Sequence, residues 1–389
     1  MTSPAERIQR LPRYVIDIIG ENIRAMQKRG LEVFRLDIGN PDLPPPDFVI
    51  DALAQAAHNP TKHGYSGYRG TPGFRQAVAR YYQKRFGVTL NPDTQILPLL
   101  GSKEGIVNLS LAYLDRGDVA LVPDISYPSY TMGAYLANGD VEWMAMREEN
   151  NFLPDWSRVT PAALRRAKLM WVNYPNNPTG AIASLDFFQN ALDLCHHNDI
   201  LLVSDNPYCD IGFEGYEAPS VMQLEGATEH AIEFMSLSKT YNMAGWRLGA
   251  AVGSPDAIGL LLQVKSNVDS GHFTPIYDAG IVALDQVSND WLTERNAIYQ
   301  RRRDKIMAVL PRIGLKAETP QATLYIWAKP TTMSATDYLA KALENACVSF
   351  GPGAAYGPGG DDYIRISVSI EDQTLDRALV QLEEWFKTL

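Results

Sequence analysis

The sequence predicts an α/β protein: a mostly parallel central sheet covered by helices, followed by a smaller α+β unit. Three observations carry this. At 389 residues the chain is too long for one small core, so two domains are expected. From about residue 47, short apolar runs alternate with helical stretches, the pattern of a parallel sheet with crossover helices. After Ala279 the character changes to one long helical stretch followed by shorter strands and helices.

Composition narrows the class. With 46% apolar and 21% charged residues the chain reads as an ordinary soluble globular protein. Its 45 acidic and 35 basic residues leave a net charge of -10, which argues against a general nucleic-acid surface. A local site for an anion remains open. Cys195, Cys209 and Cys347 are odd in number and far apart, with no CxxC or Cys/His ligand spacing. They read as reduced thiols of a cytoplasmic protein, and no metal is expected. No leader pattern opens the chain and no apolar run approaches membrane-spanning length, so no membrane partner is expected.

In chain order, Ile8 to Arg29 reads as one helix, with Val15, Ile18, Ile19, Ile23 and Met26 at helical spacing and Gly30 as its stop. Phe34 to Ile38 is a short strand, Gly39-Asn40-Pro41-Asp42 a turn, and Pro44-Pro45-Pro46 a stiff extended connection. Strands are expected at Gln95–Leu100, Val119–Val122, Leu169–Tyr174, Ile200–Asp205, Ala231–Ser236 and Leu248–Val252. Crossover helices include Phe74–Phe86, Gly105–Leu114 and Leu185–His197. A long helix over Asp290–Leu310 carries Arg301-Arg302-Arg303 on a solvated face. Strands near Leu324–Ala328, Val348–Phe350 and Tyr363–Ser369 and a helix over Asp372–Phe386 complete the chain. The expected division is an arm with part of the small unit (1–46), a large unit (47–289) and a small C-terminal unit (290–389).

The chemistry centres on Ser236-Leu237-Ser238-Lys239, where a buried-looking strand ends on a lysine. An ammonium normally needs water, but this is a good place for an amine that must lose its proton and act as a nucleophile. Arg247, flanked by glycines, could bring a guanidinium fork to a phosphate. Alone, the stretch reads equally well as a surface lysine and an unrelated arginine. Three other turns follow strands, where open parallel sheets place ligands. Gly101-Ser102-Lys103-Glu104-Gly105 opens a helix whose free N–H groups, with Ser102, suit a phosphate, though Gly-Ser is also simply a good helix start. Tyr174-Pro175-Asn176-Asn177-Pro178-Thr179-Gly180 is a sharp turn that also offers side-chain amides. Asp205 closes an apolar run, deep enough that its charge needs a partner. Together these suit pyridoxal 5'-phosphate, which needs an amine (Lys239), a carboxylate beside its ring nitrogen (Asp205), donors at its phenolate (Tyr208, Asn177) and a phosphate cradle (Ser102, Ser236, Arg247).

These motifs in this order, with Gly-Pro-Gly-Gly-Asp-Asp-Tyr-Ile-Arg-Ile-Ser near the C-terminus, resemble the class I/II aminotransferases of PLP fold type I over nearly the whole chain. Within that family Leu11-Pro12, Gly39-Asn40-Pro41-Asp42-Leu43-Pro44, Ser236 to Arg247 and Lys265-Ser266-Asn267-Val268-Asp269-Ser270-Gly271 most resemble the LL-diaminopimelate aminotransferases. Alanine/glutamate transaminases share the Gly-Ser-Lys-Glu-Gly turn and are the nearest alternative. The resemblance implies a small α+β domain built from both chain ends, that Lys239 holds the cofactor and shuttles a proton, that Asp205 keeps the ring nitrogen protonated, and that Tyr208 and Asn177 donate to the phenolate. It implies stacking by Tyr127, an aromatic that could equally be core packing, and binding of the substrate carboxylate by Arg365 beside Gly39. Tyr65 would reach the phosphate of the partner subunit in a homodimer. Tyr68 competes for that role, and the spacing to Gly70 favours Tyr65. Pro207 stands where the family commonly has alanine. Lys103 faces either phosphate or solvent, Cys209 carries no assigned role, and His63, His196 and His197 read as structural. Within the fold a lyase is the rival reading; a cofactor-sensing regulator is disfavoured, since the chain lacks room for a DNA-binding domain ahead of this one.

Overall fold

The computed structural model describes residues 2–12 and 15–389, and the side chains of residues 15–18 lie outside the description. Strand β1 (Phe34–Leu36) belongs to a small sheet, and the chain then builds a large one. The latter comprises β2 (Ile96–Leu99), β3 (Val119–Pro123), β4 (Asp140–Met146), β5 (Pro154–Asp155), β6 (Ala167–Val172), β7 (Leu201–Asp205), β8 (Ala231–Ser236) and β9 (Gly249–Gly253). Their spatial order is β2-β9-β8-β7-β6-β3-β4-β5. The pairs β4/β3, β3/β6, β6/β7 and β7/β8 are parallel, whereas β9 runs antiparallel to both β8 and β2. The chain closes with β10 (Leu315–Lys316), β11 (Tyr325–Pro330), β12 (Val348–Pro352) and β13 (Ile364–Ser367), which join β1 in the order β1-β12-β13-β11-β10.

The central strands are mostly apolar because helices cover both of their faces. Successive residues feed opposite cores: Leu202 packs in one apolar cluster and its neighbour Val203 in another. A further cluster joins Phe34 and Leu36 to Ile326, Val348, Ile366 and Leu382, so both chain ends share one core. The helix over Asn289–Val309 touches two of these clusters, through Trp291 and Leu292 at its start and Tyr299, Ile306 and Val309 further along.

Sequence and structure agree on most elements; Leu185–His197, Ala231–Ser236 and Asp372–Phe386 match to the residue. Three expectations need correction. The helix expected over Ile8–Arg29 is two, Glu6–Gln9 and Val15–Lys28, with Leu11 and Pro12 between them. Proline has no N–H to continue a helix, and its ring displaces the preceding turn. The expected side-chain positions Val15 and Ile18 fall outside the described side chains, while Ile23 is buried. The helix expected to begin at Gly105 starts at Ser102, a turn earlier, which moves Ser102 and Lys103 into its first turn. The arginine run is not solvated: Arg301 is exposed, but Arg302 and Arg303 are each 2% exposed. Arg302 bonds Asp42 at 2.9 Å and Asp372 at 3.0 Å, and Arg303 bonds Glu214 at 2.9 Å and the Pro320 carbonyl at 2.8 Å. Guanidinium forks reaching carboxylates from distant segments can be buried where an unpaired cation could not. β4, β5 and the helix over Ser129–Leu136 went unassigned in the sequence.

Candidate active site

A cavity of about 410 Å³ lies between the two sheets. The parallel strands β2, β6, β7 and β8 all aim their C-terminal ends at it, and β9 begins there. The segments leaving these ends supply Ser102 and Lys103, Asn173 and Asn177, Asp205 and Tyr208, then Ser236, Ser238 and Lys239, with Arg247 just ahead of β9. Tyr127 enters from the segment after β3. Gly39 and Asn40, Tyr325 on β11 and Arg365 on β13 close the other side. Ser102, Lys103, Tyr127, Asn177, Asp205, Tyr208, Ser236, Lys239, Arg247, Gly39 and Arg365 therefore meet at one cavity. Tyr65 does not: it is 92% exposed, in a loop held to the 266–273 segment by the 2.7 Å bond from Ser66 Oγ to the His272 carbonyl.

Lys239 Nζ donates to the Gly39 carbonyl and sits 6.0 Å from the centre of the Tyr208 ring. Burial lowers its pKa; Arg365 and Arg247 push the same way, and Tyr325 opposes them. The site thus disfavours the ammonium relative to water. Asp205 is 4% exposed and accepts from Tyr130 Oη at 2.7 Å through Oδ2, while Oδ1 has no partner among the described residues. Burial raises its pKa to about 7, the Tyr130 bond acting against that and the Glu233 charge adding to it.

Arg365 donates from Nη1 to Asn177 Oδ1 at 3.0 Å and from Nη2 to the Asp37 carbonyl at 2.8 Å. Its guanidinium carbon lies 4.1 Å from the centre of the Tyr325 ring and 4.9 Å from that of Tyr356. The hydroxyls of Tyr208 and Tyr325 are 2.9 Å apart. Burial raises the pKa of Tyr325, but the positive charges of Lys239 and Arg365 outweigh it and leave the phenol below its ordinary value. Two glycines are sterically required. A Cβ at Gly39 would lie 2.2 Å from Tyr325 Oη, and one at Gly101, where φ is +77°, would lie 2.2 Å from Arg247 Nη2. Lys103 is exposed at the rim, its Nζ 5.9 Å from the centre of the Tyr127 ring.

Sequence reasoning missed Tyr325, Tyr130, Asn173 and Ser238. Tyr130 had a signal: it lies one helical turn beyond Tyr127, so both rings fall on one side of the helix start. Tyr130 stacks on Trp171 with 4.6 Å between ring centres, which aims its hydroxyl at Asp205. Asn173 Nδ2 donates to the Asp205 carbonyl at 2.6 Å, so that segment braces the aspartate strand.

A lysine whose pKa is lowered, an uncompensated acid and two arginine forks around one cleft, on a sheet of this topology, define a protein of PLP fold type I. Residues 32–382 match the family described as aminotransferase class I and II, and the chain belongs to that family. It is therefore a transaminase. It is 44% identical, over 97% of both chains, to proteins named LL-diaminopimelate aminotransferase from Dehalococcoides mccartyi and from Moorella thermoacetica. Among solved structures, BacF from Bacillus subtilis superposes with a TM-score of 0.94 at 34% identity, covering 99% of this chain and 98% of its own.

Proposed function

We propose that this chain, as a cytoplasmic homodimer, uses pyridoxal 5'-phosphate to move an amino group from LL-diaminopimelate to 2-oxoglutarate. The observation that carries the substrate is the full-length similarity to relatives of that name. The products are glutamate and a keto acid that closes on its remaining amine, losing water, to give tetrahydrodipicolinate.

The residues fit the cofactor. Asp205 Oδ1, Ser238 Oγ and Arg365 Nε are buried at the cavity without partners among the described residues. They call for a donor at the acid and for acceptors at the serine and arginine. A protonated ring nitrogen, a phosphate and a carboxylate meet those needs. When bound, pyridoxal 5'-phosphate supplies the aldehyde that exchanges with the substrate amine and the ring that takes up the electron pair left at Cα. Lys239 Nζ carries the proton to and from Cα, a role that its lowered pKa supports. Asp205 holds the proton on the ring nitrogen. Tyr208 and Asn177 donate to the phenolate position, and Tyr127 covers the ring. The start of the helix over Ser102–Tyr113, with Ser102, Ser236, Ser238 and Arg247, holds phosphate. Lys103 at the rim adds a positive charge on that side. Arg365 takes the substrate carboxylate as a fork beside Gly39.

The same reading divides the chain into an arm with part of the small unit (1–46), a large cofactor-holding unit (47–289) and a small unit (290–389). The core shared by Phe34, Leu36 and the C-terminal strands supports it. The segments 40–46 and 266–272 would meet the far end of the substrate.

The test is a panel of amino donors mixed with the cofactor-loaded enzyme and followed spectrally as a half-reaction. LL-Diaminopimelate should react more than about tenfold faster than alanine, aspartate or phenylalanine, since a site built to pair polar groups rejects analogues lacking them. If alanine or an aromatic amino acid reacts faster, the substrate assignment fails while family membership stands.

The exposed Tyr65 gives the dimer its own test. Tyr65→Phe should weaken cofactor retention by about 1 kcal/mol, the scale of one lost bond to a charged group. Mixing it with Lys239→Ala subunits should restore activity through heterodimers holding one complete site. An unchanged cofactor affinity, or an active enzyme that sediments as a monomer, would count against the shared site.

A further inference from the structure

Lys239 sits in a four-residue helix, Leu237–Thr240, too short to hold a side chain's direction by its own hydrogen bonds. Its last carbonyls have no partner within so short a helix and need donors from outside. One buried side chain supplies them. Arg295, 3% exposed, donates from Nη1 to the Lys239 carbonyl at 2.7 Å and the Thr240 carbonyl at 2.6 Å. From Nη2 it donates to the Asp210 carbonyl at 2.6 Å, two residues past Tyr208. Asn296 Nδ2 donates to the same Asp210 oxygen at 3.0 Å, and Asn296 Oδ1 accepts from Arg295 Nε at 3.0 Å. The guanidinium forms no ion pair with a carboxylate among the described residues, so its buried charge is met by main-chain dipoles.

We propose that Arg295 is a positioning residue for transamination, one guanidinium fixing the Lys239 turn to the Tyr208 turn and both to the helix over Asn289–Val309. That helix reaches the core of the small sheet through Tyr299, Ile306 and Val309. Movement of the small sheet is thereby transmitted to the direction in which Lys239 points. A point-charge ammonium cannot replace the planar fork here, because three separate carbonyls must be reached at once. Truncating Arg295 opens a space beside Leu292, Asn296, Asp210 and Tyr241, which already line a second cavity of about 450 Å³. A small cation can therefore enter from solvent.

The inference rests on Lys239 being the reacting amine, and the variants separate the two ideas. If Lys239 is not that amine, Lys239→Ala stays active. If Arg295 does not position it, Lys239→Ala is dead and Arg295→Lys is indifferent. In the loaded enzyme kcat should fall about tenfold in Arg295→Lys and roughly 10²-fold in Arg295→Ala, as for a small misplacement of a reacting group, with the donor KM within about twofold. Millimolar guanidinium chloride should restore part of the kcat of Arg295→Ala where equal sodium chloride does not. In the cofactor-free protein, amides of 206–211 and 237–243 should lose hydrogen-exchange protection together in Arg295→Lys. A folded Arg295→Lys enzyme with kcat within about twofold of the parent overturns the proposal, as does exchange unchanged in both segments. Should Arg295→Ala fail to fold, the lysine variant alone decides.

Discussion

Replacing Lys239 with alanine is expected to abolish turnover, slowing the half-reaction by roughly 10⁴-fold or more, because the amine that carries the proton from Cα is removed. Two other lysines stand near and are weaker candidates for physical reasons. Lys265 is 1% exposed, but its Nζ is tied to Asp269 at 2.6 Å and Glu104 at 3.6 Å, and it does not line the cavity. Lys103 is exposed at the rim, in the first turn of its helix, and not deep in the cavity. Lys239 is half-buried, with two guanidinium charges nearby and a carbonyl in place of a carboxylate. Borohydride treatment of the loaded enzyme should fix the cofactor's mass on the peptide containing Lys239 and leave the alanine variant unlabelled. Recovery of the label on Lys103 or Lys265 from the parent enzyme would end the assignment.

Much of this site was legible because parallel sheets announce their functional edge. Several of the apolar runs that form central strands lead into polar residues that land on the cavity: Asn173 after β6, Asp205 at the end of β7, Lys239 three residues past β8. What stayed hidden depends on contacts between distant segments. Tyr325 looked like a strand residue, since only the fold brings its hydroxyl to 2.9 Å from Tyr208, 117 positions away. Arg302 and Arg303 looked solvated because their carboxylates, Asp42, Asp372 and Glu214, are remote in the chain. Arg295 gave no sign at all: its partners are main-chain carbonyls, which carry no residue identity. β4 was missed because its residues are half-buried and mixed in character near the sheet edge, so neither alternation nor a continuous apolar run marks it.

Asp205→Asn should produce two large effects of opposite sign. With cofactor bound, the carboxylate that holds a proton on the ring nitrogen is gone, and activity should fall by at least about 10²-fold, the scale of removing one preorganised charge from a buried site. Without cofactor, the same carboxylate is a liability. Its pKa rises from 3.8 to about 7 on folding, chiefly through burial, with Tyr130 as its one bonded partner and the Glu233 charge nearby. Between those values the folded chain keeps a proton that the unfolded chain releases, so this group's contribution to stability falls as pH rises and levels off above about 7. Asparagine keeps the acceptor for Tyr130 and carries no charge to bury. From pH 5 to pH 8 the stability difference between cofactor-free variant and parent should therefore move in the variant's favour by about 2–3 kcal/mol, as urea unfolding at the two pH values would read. Saturating cofactor should reduce that trend in the parent, since the ring nitrogen's proton pairs with the charge. A difference that does not change with pH would mean that Asp205 is not the buried, uncompensated acid, and the role given to it at the ring nitrogen would fall with it.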